Sequence, residues 1–435
     1  MMDRKLYLGV ATEKITPAVG TALYGYVPDW FSTSVNDDLT ATVYYFHQAE
    51  TKALIVSLTV AEMDYQLNQQ LISEIAEEFE IPAEGCMFHC THTHSAPNLH
   101  GEVGWGDIDW DYYNTIFVPA LKQAIKRATE KTVPVTMAIT QGESKVGINR
   151  RQLTFQNYIA LGQNPWGPFD PRMTVVSFKD EEGKIVANMI HYGCHGTASG
   201  RNREITRDWP GVMVDTMQEL TGGATAFFNG PEGDVGPRLN NGATVGLQRV
   251  RDALELGGVA SGDAMRIYRQ PKVFFEPALS VSYREIELPI KPRVDREYAK
   301  EQYEKYKDQT INLAGATRDY YRSVLESYEN GYVEERTRAF PQTVIRIGEL
   351  AFVSFPYELF SVIGMRIAQE SPVPYTLSLS NTNGALGYFA TQDQLCLGGY
   401  EIEMFQTSSI QPFVDDADYY MVVETVKHLK EMKGE

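Results

Sequence analysis

The chain has 435 residues, 43 % hydrophobic and 22 % charged, the mixture of a globular protein with a sizeable core. That excludes intrinsic disorder and disulfide-stapled miniature folds. Thirty-nine Lys and Arg against 57 Asp and Glu leave a formal charge of −18, which disfavours nonspecific attraction to nucleic acid or to an anionic membrane.

Four cysteines, Cys86, Cys90, Cys194 and Cys396, form no CxxC pair and read as reduced thiols of a cytoplasmic protein. Residues 1–17 carry no apolar stretch ahead of a small-residue cleavage site. No apolar run approaches the ~20 residues of a bilayer span, so neither a secretory signal nor stable membrane insertion is expected.

Segments 41–46 and 53–60 are rich in β-branched and aromatic residues and flank the polar turn Glu50-Thr51-Lys52, which predicts a hairpin. Leu67, Leu71, Ile72 and Ile75 share one helical face over 66–79, ahead of Pro82. Segment 86–90 is a short apolar strand running into Thr91-His92-Thr93-His94-Ser95. Ile116, Phe117, Leu121 and Ile125 predict a helix over 112–130 with a basic last turn, the sign that suits its dipole. A second hairpin is predicted from 173–178 and 185–192, its second arm continuing into Gly193-Cys194-His195-Gly196-Thr197. A helix opens at Pro210 with Asp208 as its cap, and 224–228 is a strand ending in the glycine-rich turn 229–237. Segments 250–268 and 296–329 read as helices, 343–355 as paired strands about Gly348-Glu349, and 418–432 as a closing helix. No repeat or hinge divides the chain. The expectation is one integrated α/β domain with mixed sheets flanked by helices, and a charged helical insertion or lobe at about 294–338.

Six of the eight histidines fall in two windows: His89, His92, His94 and His100, then His191 and His195. His92 and His94 stand two apart at a strand end, where period-two geometry points both rings to one face. Such a pair presents two imidazoles to one cavity and suits a metal; it serves equally as core or surface histidines bonded to backbone. His195, between two glycines, is either a turn histidine or a third imidazole for that cavity. His191 lies in a β-rich run and reads as structural. A catalytic zinc needs about three protein ligands and an open position. Glu358, after the apolar Phe355-Pro356-Tyr357, is either an acidic ligand or a first-turn residue favoured by a helix dipole.

Several ordered strings resemble the catalytic domain of the neutral/alkaline (non-lysosomal) ceramidases, a family of zinc-dependent amidases. They are Gly9 through Pro17, Gly25-Tyr26, Thr91-His92-Thr93-His94-Ser95-Ala96-Pro97, Asn149-Arg150, His195-Gly196-Thr197, Gly233-Asp234-Val235 with Pro237, Pro356 and Glu358, Asn383 through Tyr388, and Tyr400-Glu401. The resemblance implies a ceramidase-like α/β fold and a zinc ion (Zn2+) held by His92, His195, Glu358 and Tyr388. It also implies that His94, Arg150 and Tyr400 surround the scissile carbonyl. Such groups donate hydrogen bonds to the oxygen that turns anionic, typically ~3 kcal/mol per donor.

Asp234 and Gly236 stand in the loop that meets the substrate in the family. A serine of the ceramidases is Gly236 here, so one substrate hydrogen bond is missing and a larger pocket is expected. The chain is also expected to lack the family's additional C-terminal β-sandwich. The function expected is zinc-dependent hydrolysis of an amide, or an ester, of a small N-acyl-type substrate by metal-activated water. Two alternatives stand beside it: a catalytically silent small-molecule or glycan-binding protein on the same scaffold, and a two-metal phosphatase drawing on Asp64, Asp208 and Asp234. Arg201, Arg203 and Arg207 either clamp an anionic substrate group or form a solvated loop paired with Glu204 and Asp208. Asp64 and Asp234 are candidates for orienting a ligating histidine.

Overall fold

The computed structural model describes residues 5–247, 249–270, 272–275 and 277–434. The largest sheet runs in the order Ala224–Asn229, Ile185–Tyr192, Arg172–Lys179, Val133–Glu143, Leu6–Lys14, Thr40–Gln48, Thr51–Leu58, Cys86–Cys90. The outermost pair at each end is parallel and the pairs between are antiparallel. Connections follow from this: tight turns join the two hairpins, whereas each parallel pair needs a helical crossover. Tyr65–Phe79 supplies one crossover and Asp208–Thr221 the other.

Both faces of this sheet are buried. Along Thr51–Leu58, Leu54, Val56 and Leu58 face the helices Tyr65–Phe79 and Val118–Glu130, meeting Leu71, Ile75, Leu121 and Ile125. The alternate residues Ala53 and Ile55 face a second sheet, in the order Leu279–Pro289, Thr337–Ile347, Leu350–Ser354, Tyr375–Leu379, through Ile345, Phe352 and Leu377. That sheet alternates in turn: Val344 and Val353 point away, onto Ile363 and Ile367 of Ser361–Glu370 and Met421 and Leu429 of Ala417–Lys433. Period-two side chains buried on both faces thus generate four layers, helix–sheet–sheet–helix. Each fully buried Leu, Ile or Val contributes roughly 1.5–3 kcal/mol.

The large sheet curls until its edges meet. Asn229 N–H donates to His89 Nε2 at 2.8 Å, and Ser57 Oγ donates to Phe227 O at 2.8 Å. The carboxyl ends of both parallel pairs are thereby gathered at one place, where α/β sheets generally bind ligands. The stretch between Leu279–Pro289 and Thr337–Ile347 forms two helices, Arg296–Tyr306 and Asn312–Glu329, with a small apolar cluster of their own at Ala299, Tyr320 and Val324. Among the described residues, no helix is long and apolar enough to cross a membrane.

Candidate metal centre

His92 follows the edge strand Cys86–Cys90 with φ at 65°, the left-handed region that non-glycine residues adopt chiefly in turns and at functional sites. Its N–H donates to Val60 O at 3.1 Å, which fixes the strained turn to the neighbouring strand. His92 Nδ1 lies 3.2 Å from Ala61 O, His94 Nδ1 lies 3.1 Å from Gly25 O, and His195 Nδ1 lies 2.9 and 3.0 Å from the carbonyls of Glu232 and Val235. A carbonyl only accepts, so the Nδ1 of His94 and of His195 carries the ring proton and their Nε2 atoms present lone pairs, while His92 Nδ1 lies between Ala61 O and the Asn381 amide nitrogen, 3.2 Å from each.

Those lone pairs converge. The Nε2 atoms of His92 and His94 are 3.1 Å apart. Glu358 Oε2 is 2.9 Å from His195 Nε2 and 3.4 Å from His92 Nε2, and no hydrogen-bond donor reaches it. Burial holds His92 and His195 well below the usual histidine range, with Arg150 and the neighbouring imidazoles adding to it, and lowers His94 to about 4. Protonation is therefore not what reconciles them. Buried acceptors turned on one another are repulsive unless a cation lies among them, and imidazole nitrogens with a carboxylate oxygen are zinc's preferred donors. The residues fit a divalent ion: the ligand atoms of His92, His94 and His195, and those of Glu62, His92 and Glu358, form two sets within metal-binding reach.

The remaining groups are set by backbone pairing. Glu358 and Tyr388 are partners in a short parallel ladder, so carboxylate and phenol project side by side. Tyr388 Oη accepts from Arg150 Nη2 at 2.9 Å and lies 3.5 Å from His195 Nε2. Glu401, fully buried, accepts from Arg150 Nε at 2.8 Å and from Arg151 Nη1 at 2.6 Å. Tyr400 begins the helix Tyr400–Thr407, its ring 5.7 Å from that of Tyr388. His92, His94, His195, Glu358, Tyr388, Arg150 and Tyr400 are thus brought together from six separate stretches of chain.

Other candidates are turned elsewhere. Asp234 accepts from Ser361 N–H at 2.7 Å and Asn149 Nδ2 at 3.1 Å, while its carbonyl holds Arg150 N–H at 2.8 Å; it braces the Arg150 strand rather than an imidazole. Gly236 pairs with Ile148, and a Cβ there would lie 2.7 Å from Thr244 Cβ, so glycine permits close packing and does not enlarge a pocket. Asp64 caps the helix Tyr65–Phe79, accepting from Leu67 N–H at 2.8 Å. Asp208 is the first residue of its helix rather than the cap, and accepts from Ala198 and Ser199 N–H at 3.0 and 2.7 Å. Arg207 pairs with Asp37 at 2.8 Å and Asp215 at 2.6 Å, and Arg201 and Arg203 each stack 4.2 Å from the centre of the Trp30 ring. Glu204 and Asp208 are not their partners. His191 Nε2 donates to Ser378 O at 2.9 Å, as a core histidine does.

Sequence reasoning missed Glu62, Glu102 and Glu232. Glu62 lies just beyond the strand Thr51–Leu58, the parallel neighbour of the one leading to His92, and that carboxyl-end position was its available signal. Glu232 is fully buried and accepts from Asn381 Nδ2 at 2.7 Å. Burial raises Glu62 and Glu232 well above the usual carboxylate range and pushes Glu358 and Glu102 up to about 7. Glu62, Glu102, Trp105, Tyr400 and His94 wall a cavity of about 30 Å³ beside the convergent imidazoles.

Fold and site together define a four-layer α/β protein with a buried histidine–carboxylate centre at the carboxyl ends of its strands. The family profile for neutral/alkaline non-lysosomal ceramidase, N-terminal, matches residues 6–246, more than half of the chain. The chain belongs to this family of hydrolases. Its fold is that of neutral ceramidase from Pseudomonas aeruginosa, matched over 99 % of this chain and 75 % of that one with a TM-score of 0.75 at 16 % identity. A ceramidase complexed with C2 matches over 99 % of this chain and 76 % of its own, with a TM-score of 0.74 at 16 % identity. A comparison with curated proteins finds no match.

Proposed function

We propose that this protein is a zinc-dependent hydrolase that cleaves an amide, or an ester, of a compact polar acyl compound. One observation carries the reading: the Nε2 atoms of His92, His94 and His195 and the unpartnered Glu358 Oε2 meet in one buried space. His92, His195, Glu358 and Tyr388 would hold the ion, which when bound supplies Lewis-acid activation of water and of the substrate carbonyl.

The chain's own residues do the rest. His94, expected as a donor to the oxyanion, faces the site with a lone pair, because its Nδ1–H is committed to Gly25 O. Its Nε2 takes the proton of the attacking water and returns it to the leaving nitrogen or oxygen. Arg150, held in orientation by Glu401, and the Tyr400 hydroxyl donate to the oxygen that becomes anionic. Tyr388 Oη, already accepting from Arg150, would hold the ion together with the Glu358 carboxylate beside it.

A cavity of about 30 Å³ with three carboxyl groups in its wall, Glu62, Glu102 and Glu358, favours a compact hydrophilic substrate over a two-chain lipid. The silent-binder alternative rested on Gly236, which packs against Thr244. The phosphatase alternative needs Asp64, Asp208 and Asp234, whose carboxylates are engaged by backbone N–H groups. The deciding experiment combines metal analysis with a panel of short N-acyl amines and esters, assayed with and without chelator. Stoichiometric zinc and chelator-sensitive hydrolysis, both lost in His92→Ala, are expected; a wild type without either refutes the reading.

A further inference from the structure

We propose that a second site, in the cleft between the helical lobe and the helix Tyr400–Thr407, binds a neutral mono- or disaccharide. The cavity there holds about 420 Å³, within the ~300–1,000 Å³ of small-molecule sites and far larger than the space beside the imidazoles. The lobe helices Arg296–Tyr306 and Asn312–Glu329 supply one wall through Tyr298, Gln302, Thr317 and Tyr320. Glu403 and Gln406 of Tyr400–Thr407 stand in the other. That helix lends Tyr400 and Met404 to the cavity at the histidines, so the two spaces adjoin one helix and have no lining residue in common.

Polar groups that meet no protein partner point to a ligand. Tyr320 and Thr317 are each only 8 % exposed, yet among the described residues neither hydroxyl has a hydrogen-bond partner, and neither is sealed off from the cavity it lines. A buried hydroxyl ordinarily has a partner, so these two are left for whatever fills the space. The Gln302 and Gln406 amides are likewise uncommitted among the described residues. Lys291 and Asp415 close one side as an ion pair, which leaves Glu403 the one lining charge without an ionic partner among the described residues. A carboxylate there accepts from two neighbouring hydroxyls and repels a phosphate or a second carboxylate. Flat apolar surface completes the set: Tyr298 and Tyr320 each lie edge to face with Tyr321, at 6.0 and 4.9 Å, and Tyr306, Phe405 and Phe413 line the same space. Rings beside free hydroxyls and amides match a sugar, apolar on its C–H faces and hydroxylated at its edge. A lipid chain would leave the polar groups unanswered, and a simple cation would use Glu403 alone and leave the space unfilled.

The test is calorimetric titration of the whole protein with maltose, cellobiose, lactose and N,N′-diacetylchitobiose, and with a glucose phosphate as the anionic counter-probe. Expected is saturable binding of at least one neutral disaccharide with a Kd of about 1 mM or tighter. Tyr320→Phe, which removes only the hydroxyl, and Gln302→Ala should each weaken it about tenfold. Gln302 is partly exposed, so its variant keeps the test open if Tyr320→Phe does not fold. His92→Ala, which alters the metal centre alone, should leave the affinity unchanged. The inference is overturned if none of the neutral sugars binds, or if both cavity variants bind as the wild type does. It is equally overturned if the glucose phosphate binds as tightly, or if His92→Ala abolishes binding and so places the sugar at the histidines. The hydrolase reading is judged separately, by zinc content and turnover.

Discussion

The Nε2 atoms of His92 and His94 face each other at 3.1 Å, and the His94 ring has its Nδ1–H on the Gly25 carbonyl. With Glu358 Oε2 also nearby, these groups repel in the absence of a cation, so a bound ion should add stability as well as chemistry. At a free zinc concentration of 1,000 Kd the gain is about 4 kcal/mol. Zinc is therefore expected to raise the Tm of the apo protein by several degrees, and His195→Ala is expected to abolish both the shift and stoichiometric metal by elemental analysis. An apo protein whose Tm ignores zinc would remove the basis for a metal centre.

Gly25 holds His94 in place and tolerates no side chain. Its φ is 115°, and a Cβ would stand 2.3 Å from His94 Nδ1. Gly25→Ala must either displace the ring or strain the loop at ~1–3 kcal/mol. Hydrolysis should drop at least tenfold with zinc content retained, since His92 and His195 are anchored elsewhere, to Ala61, Glu232 and Val235. Wild-type turnover in this variant would show that the position of His94 does not matter.

Parts of this site are legible in the chain and parts are not, for physical reasons. His92, His94 and His195 stand out because apolar strands run directly into turns, a polar string around the first two and a glycine-flanked turn around the third. Tyr388, Arg150 and Tyr400 are unremarkable residue types in unremarkable surroundings, and came forward only through the family resemblance. Glu62 and Glu102 look like any surface acid until the sheet curls and closes them in. The stacking of two sheets was hidden for a similar reason: a strand such as Thr51–Leu58, buried on both faces, is a continuous apolar run that names no partner. Gly236 misled because a missing side chain reads as space, whereas Thr244 fills it.

Glu401 joins two arginines that one carboxylate can just satisfy, Arg150 through Nε and Arg151 through Nη1. Removing its charge leaves two buried guanidiniums uncompensated, a loss of roughly 3–5 kcal/mol in stability. Glu401→Gln should lower kcat ten- to a hundredfold through a misaligned Arg150, with less change in KM and with zinc content intact. A variant that loses stability alone would make Glu401 a purely structural residue.

Acidification should destabilise the fold through histidines outside the centre. Burial, the largest cause at each, lowers His89 to about 3 and His191 and His428 to about 4. Unfolded, each titrates near 6.5. Between pH 6.5 and about 4 the unfolded chain therefore binds protons that the native protein refuses, so the stability these neutral rings confer is complete above 6.5 and drains away as pH falls. Each contributes a slope of up to about 1.4 kcal/mol per pH unit. His89 has a local reason as well: its Nε2 accepts Asn229 N–H across the sheet edges, and a protonated ring would set donor against donor where the curl closes. Urea midpoints measured with chelator present, so that metal loss does not contribute, should hold between pH 7.5 and about 6.5 and fall steadily from there to pH 4.5. A midpoint that stays level across that range would mean these rings keep ordinary proton affinities in the folded protein, and that the seam at His89 is open to water.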